Sequence, residues 1–172
     1  HTGKPADEFT STKYEDLIIA DYSASLITTE EAKELIDELR EKIKCSKNIE
    51  FYAGVSYRHL MILRCAEEFF SENGETYNKL SYRLKTPQDN IGKRVGECLP
   101  EISTLADIQK KSYEILKGSK INKERVKRGL NPANAVWLWG EGIKPNLPKF
   151  KDKYGISAAV ISAVDLIKGI AI

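Results

Sequence analysis

Between Thr28 and Ile43 the chain leaves little freedom. Ala32, Leu35, Ile36, Leu39 and Ile43 recur at helical spacing, and the remaining positions are mostly Glu and Lys at mixed sign. Thr28 followed by Glu31 is a capping box, which fixes where the helix starts. A helix with one apolar stripe must lay that stripe on another element. The next segment, Ile49–Arg64, supplies one. It carries Phe51, Ala53, Val55, Tyr57, His59, Met61 and Leu63 on one parity, with Gly54 marking a turn or bulge between two lengths of strand. The pair predicts an α/β fold, a mixed sheet flanked by amphipathic helices.

The rest of the chain is read around that nucleus. Residues 1–13 form a polar leader, and Tyr14–Tyr22, with Leu17, Ile18 and Ile19, reads as a strand. Asn73-Gly74 is a tight hairpin signal, with Tyr77–Leu84 as the return strand. Thr86–Gly96 is a Gly/Pro loop. A second helix is expected over Ser103–Lys117, stopped by Gly118, and a shorter one over Asn122–Arg128. Ala135–Trp139 and Ala158–Ala163 read as short apolar strands separated by the Gly140–Pro148 loop.

Several classes of function are set aside by what the chain lacks. A net charge of +2 does not argue for a nucleic-acid or membrane partner, and no apolar stretch approaches a bilayer span. Three widely spaced cysteines, Cys45, Cys65 and Cys98, fit neither a disulfide framework nor a zinc knuckle and point to the cytoplasm. There is no P-loop, Gly-x-Ser-x-Gly elbow, His-Glu-x-x-His or Cys-x-x-Cys, and apart from His1 the only histidine is His59. No catalytic residue and no metal ligand set is expected in this chain. Its only methionine is Met61, and an apolar strand lies close to its last residue, so it reads as a piece of a longer protein.

What remains are candidates for holding an anion. In Gly54-Val55-Ser56-Tyr57-Arg58-His59, an Arg and a His adjoin a glycine turn. The Arg fork suits phosphate or carboxylate, although a surface arginine beside a half-buried histidine explains the same residues. The run Lys117–Arg128 holds six basic residues against Glu124; it is either a solvated face or a contact surface. Trp137-Leu138-Trp139 is compatible with core packing, and Gly140-Glu141-Gly142 after it with a loop that closes on a ligand.

Taken in order, Asp21-Tyr22-Ser23-Ala24, Gly54-Val55-Ser56-Tyr57-Arg58-His59-Leu60, Pro132-Ala133-Asn134, Trp137-Leu138-Trp139-Gly140-Glu141-Gly142 and Ala159–Gly169 resemble the archaeal-type, cofactor-independent phosphoglycerate mutases of the alkaline-phosphatase superfamily. The resemblance implies an inserted substrate domain over Tyr14–Leu130 and a return into the core over residues 131–172. It implies interconversion of 2- and 3-phosphoglycerate through a phosphoserine, with the serine and a Mn, Mg or possibly Zn site lying outside this chain. A phosphorylated small molecule and the remainder of the same polypeptide are the implied partners. Arg58, His59 and Lys168 are the implied substrate contacts. The family pattern has His where this chain has Gln88. A homoserine kinase-like enzyme of the same superfamily shares the Ser-Tyr-Arg-His run, and a non-catalytic anion-binding module is the reading from outside it.

Overall fold

A computed structural model describes residues 13–43, 49–64, 71–72, 75–76, 83–142, 146–162 and 165–170. The chain divides after Glu141 into two compact units.

The first unit is built on α1, Thr29–Lys42. Thr28 caps it, its hydroxyl accepting the Glu31 N–H at 3.2 Å. Only half of the expected capping box forms, because the Glu31 carboxylate is engaged by Arg125 and Arg128 instead. Strands β1 (Ile49–Ala53) and β2 (His59–Leu63) make an antiparallel hairpin with Phe51 opposite Met61 and Ala53 opposite His59. The turn falls at Gly54–Arg58, beside the glycine that marked it.

Helix α1 lies on this hairpin as its stripe requires. Ala32, Leu35, Ile36 and Leu39 are buried together with Phe51, and Met61 and Leu63 pack against them. Arg40 Nε also donates to the Phe51 carbonyl at 2.6 Å, which ties helix to strand. Burying a Leu or Ile side chain is worth about 1.5–3 kcal/mol, so this stripe is the main local source of stability.

The sheets are smaller than expected. Strands β3 (Ser71–Glu72) and β4 (Glu75–Thr76) pair antiparallel on either side of Asn73-Gly74, as the hairpin signal requires. Each described sheet is a two-stranded antiparallel ribbon, so the expected mixed sheet is corrected to a small α/β arrangement of helices on ribbons. Of the expected strand Tyr77–Leu84, residues 77–82 lie outside the described residues, and Arg83-Leu84 is not in a strand.

Tyr14–Tyr22 is not a strand. It opens with a 3-10 turn at Tyr14–Asp16, and Leu17–Ile19 pairs with Lys93–Val95 around a single bridge, Ile18 to Arg94. The partner segment is itself bounded by 3-10 turns at Gln88–Asn90 and Val95–Cys98, which leave no room for a longer ladder. Gly96 sits where a Cβ would come within 3.1 Å of the Glu15 carbonyl, so the two turns approach as closely as they do because that residue has no side chain.

Helices α2 (Ser103–Leu116) and α3 (Lys120–Lys127) complete the unit, close to their expected limits. Buried Leu105, Ile108 and Leu116 of α2 join the α1 cluster. Tyr113 stacks on Tyr14, ring centres 5.1 Å apart, in a second cluster with Ile19, Val95 and Cys98. Helix α3 ends at Gly129, whose φ of +74° is the left-handed stop glycine favours.

Ala135–Trp139 is not a strand either, for a specific reason. Two of its backbone N–H groups are taken by helix side chains. Val136 donates to Ser112 Oγ at 2.9 Å, Leu138 to Gln109 Oε1 at 3.2 Å, and the preceding Ala133 to Asn122 Oδ1 at 2.9 Å. The helices do here what a neighbouring strand does in a sheet.

The second unit holds α4 (Phe150–Tyr154), closed by Gly155 at φ +71°, and α5 (Asp165–Ile170). The strand expected over Ala158–Ala163 is absent from the described part of that range, where Ala158–Ile161 is exposed. A strand exists through its ladder, and among the described residues this unit supplies no second strand.

Candidate functional site

The site grows from the turn between β1 and β2. Arg58 N–H donates to the Val55 carbonyl at 3.1 Å, closing the turn, and Ser56 takes the left-handed conformation at φ +55°. Ser56 is anchored well outside the hairpin. Its Oγ donates to the Ile27 carbonyl at 2.6 Å, and its N–H donates to Thr29 Oγ1 at 3.1 Å. The turn is therefore fastened to the entry of α1.

That entry has an unusual backbone. Ala24, Ser25 and Leu26 have φ of 48°, 54° and 52°, one turn of left-handed helix in three residues that are not glycine. Left-handed backbone costs about 1–2 kcal/mol per L-residue, so the turn stands only because its surroundings insist on it. Asp21 accepts from Ser23 N–H and Oγ, both at 2.8 Å, from Ser25 N–H at 2.6 Å and from Asn131 Nδ2 at 2.8 Å. Burial works to raise its pKa, but those hydrogen bonds outweigh burial and hold the carboxyl down at about 2.

From the other side, Arg125 donates to the Ala24 carbonyl, to the Asn131 carbonyl at 3.1 Å and to Glu31. Arg125 is 1% exposed. It is the one member of the basic run Lys117–Arg128 that does not fit the solvated-face reading, because three acceptors drawn from three segments meet at its fork. Arg128 pairs with the other oxygen of Glu31.

On this base Arg58 is presented to solvent. Its guanidinium lies 4.9 Å from the centre of the Tyr57 ring and donates to Tyr57 Oη at 3.2 Å, while Tyr22 meets the same ring edge-on at 5.5 Å. Among the described residues no carboxylate forms an ion pair with Arg58. Arg58 belongs to the turn rather than to a strand. His59 opens β2, and its Nδ1 accepts the Gly54 N–H at 3.3 Å. Although exposed, its imidazole is lowered below 6.5 by the desolvation of its surroundings, and the hydrogen bond it accepts also favours the neutral ring.

The structure thus places Arg58 at the end of the turn and His59 next to it, at the start of β2. Lys168 belongs to the second unit, exposed on the last turn of α5. Gln88 is exposed in the Gln88–Asn90 turn. Trp137 is half-buried and donates from Nε1 to the Lys85 carbonyl at 2.7 Å, whereas Trp139 is 49% exposed. The core reading therefore holds for the first indole only. Glu141 accepts the Leu84 N–H at 3.2 Å, so that loop is fastened to the segment before the Gln88 turn.

Sequence reasoning missed Ser56, Tyr57, Tyr22 and Arg125. Asp21-Tyr22-Ser23 carried a usable signal, since an Asp two residues before a Ser is a common Asx-turn. Nothing local marked Arg125.

Among the described residues no group of three His, Cys, Asp or Glu is placed to hold a metal ion, and no helix is long and apolar enough to cross a membrane. Arg58 offers a guanidinium that no described carboxylate pairs, with the His59 imidazole beside it at the start of β2, an arrangement suited to binding an anion.

The family model for 2,3-bisphosphoglycerate-independent phosphoglycerate mutase matches residues 7–122. Curated relatives with the same name come from Methanothrix thermoacetophila, 36% identical over 91% of this chain and 37% of its own length, and Methanosarcina barkeri, 39% identical over 90% of this chain and 36% of its own. A relative from Methanothermobacter thermautotrophicus, named as mutase 2, is 37% identical over 90% of this chain and 36% of its own length. The chain spans little more than a third of the relatives it matches. No solved structure matches it. With a family match over two thirds of its residues and several relatives above 30% identity, the chain belongs to the 2,3-bisphosphoglycerate-independent phosphoglycerate mutase family.

Proposed function

We propose that this chain is the substrate-handling portion of a cytoplasmic phosphoglycerate mutase, an isomerase that interconverts 2- and 3-phosphoglycerate through a phosphoserine. In this reading Tyr14–Leu130 is a domain inserted into an alkaline-phosphatase-like core, and residues 131–172 return toward that core. The nucleophilic serine and the divalent metal belong to parts of the polypeptide outside this chain, which supplies cations for the substrate's anionic groups. The observation that carries the reading is Arg58: a planar fork at the tip of a hairpin, steadied on the Tyr57 ring and paired with no described carboxylate. Arginine can make two parallel charge-assisted bonds to a carboxylate or phosphate, a geometry lysine lacks. His59 adds a donor beside it, and Lys168 is assigned to the transferring phosphoryl group.

The test is Arg58→Ala in the full-length enzyme. A hydrogen bond to a charged group is worth about 1.5–3 kcal/mol, so kcat/KM for 3-phosphoglycerate falls about tenfold to a hundredfold or more. Arg58→Lys recovers part of the loss. A kcat/KM within about twofold of wild type for Arg58→Ala makes Arg58 an ordinary surface residue and removes the reading.

A further inference from the structure

Ser56 occupies a position where glycine would be the easier choice. Its φ of +55° lies in the left-handed region, at the tip of an exposed hairpin turn where chain reversal alone needs no side chain. A serine held there must gain something glycine lacks. The gain is visible in its hydroxyl, which donates to the Ile27 carbonyl at 2.6 Å, 29 residues away in sequence. Its N–H bond to Thr29 Oγ1, which glycine would keep, is the second anchor.

Both anchors lie in the stretch between the left-handed turn at Ala24–Leu26 and the first residue of α1. The left-handed turn that leads directly into that stretch is braced by Arg125 and Asp21. The turn carrying Arg58 is thereby referenced to a braced part of the first unit rather than only to its own two-stranded ribbon, which alone would be a pliable support. Ser56 is two residues from Arg58 and one from Tyr57, whose ring backs the guanidinium.

We propose that Ser56 is a positioning residue for Arg58. By hydrogen-bonding the Ile27 carbonyl it fixes the β1–β2 turn against the entry of α1, and so fixes where the Arg58 fork meets an anionic group of the substrate. The inference rests on the anion-binding reading of Arg58 and assigns Ser56 no contact with substrate.

The test uses the full-length mutase carrying Ser56→Gly, Ser56→Ala, Arg58→Ala and the Ser56→Gly/Arg58→Ala double variant, each measured for kcat, KM for 3-phosphoglycerate and thermal midpoint. Ser56→Gly removes the hydroxyl while relieving the left-handed backbone; Ser56→Ala removes the hydroxyl and keeps the strain. Both lower kcat/KM about three- to tenfold, the worth of one hydrogen bond, mostly through KM. They do so although Ser56→Gly is the more stable of the two, which separates the hydroxyl from general stability. In the Arg58→Ala background Ser56→Gly changes kcat/KM by less than about twofold, because the residue it positions is gone. If Arg58→Ala is impaired but Ser56→Gly retains wild-type kcat/KM, or costs the same factor with and without Arg58, the positioning role is overturned and the reading of Arg58 stands. If Arg58→Ala itself is wild-type, both fall.

Discussion

Replacing Arg125 with methionine keeps most of the stem's volume and removes the fork, so the result reports the hydrogen bonds rather than a cavity. The fork serves the Ala24 carbonyl, the Asn131 carbonyl and one oxygen of Glu31. Glu31 keeps Arg128, so its charge is not orphaned. The two carbonyls have no such reserve. They are main-chain groups, so no second mutation can delete them in the way a side-chain partner of a buried ion pair can be deleted. At about 1.5–3 kcal/mol for each bond from a charged donor, their loss amounts to about 3–6 kcal/mol, comparable to breaking a buried ion pair by removing one partner. With a urea m-value of about 2 kcal/mol/M, the unfolding midpoint falls by about 1.5–3 M. The assay is equilibrium urea unfolding followed by circular dichroism. A midpoint shift below about 0.5 M at unchanged m would refute the reasoning, because the left-handed turn would then be held by something other than Arg125.

The isolated chain, supplied with Mn²⁺ or Mg²⁺ and 3-phosphoglycerate, is expected to show no mutase activity, since it spans 37% of a relative such as that of Methanothrix thermoacetophila and its described residues form no metal-ligand cluster. Metal-dependent turnover by the purified chain, free of full-length enzyme, overturns that expectation. The Asp21 carboxyl, held at about 2 against an ordinary 3.8, stabilises the fold fully above the higher value and loses that contribution as pH falls toward the lower. Urea midpoints measured from pH 5 to pH 2 should therefore fall less steeply for Asp21→Asn than for the wild type; identical slopes would show that Asp21 is not held as described.

Those elements whose physics is local were legible in the sequence. Helix α1 follows from Ala32, Leu35, Ile36 and Leu39 on one stripe and from the Thr28 cap, and the β1–β2 hairpin from alternation either side of Gly54. Ala135–Trp139 fails as a strand for a reason that no local pattern shows. The unbroken apolar run at Ala135–Trp139 suggests an extended, half-buried segment but not who accepts its N–H groups, and here Ser112 and Gln109, with Asn122 just before them, stand in for a ladder. Arg58 and His59 were legible as a motif. Their support was not: Ser56 looks like any turn serine, and Arg125 looks like one more charge in a basic run until Ala24, Glu31 and Asn131 are seen to converge on it.

The left-handed turn at Ala24–Leu26 also orders events during folding. Asp21 and Ser23 give it some short-range bonds, but its remaining restraints come from far along the chain: Arg125 is 101 residues from Ala24, Asn131 is 106 from Ser25 and 110 from Asp21. Nearby sequence therefore gives the chain little reason to enter a conformation that costs it free energy, whereas α1 and the β1–β2 hairpin close through near neighbours. Long loops are expensive to close before their contacts form. On that ground the helix and hairpin are expected to form before the turn, which gains its long-range restraints only once α3 and the segment after Gly129 are in place. Amide exchange at Ser25, Leu26 and Ser56 is accordingly expected to be faster than in the middle of α1.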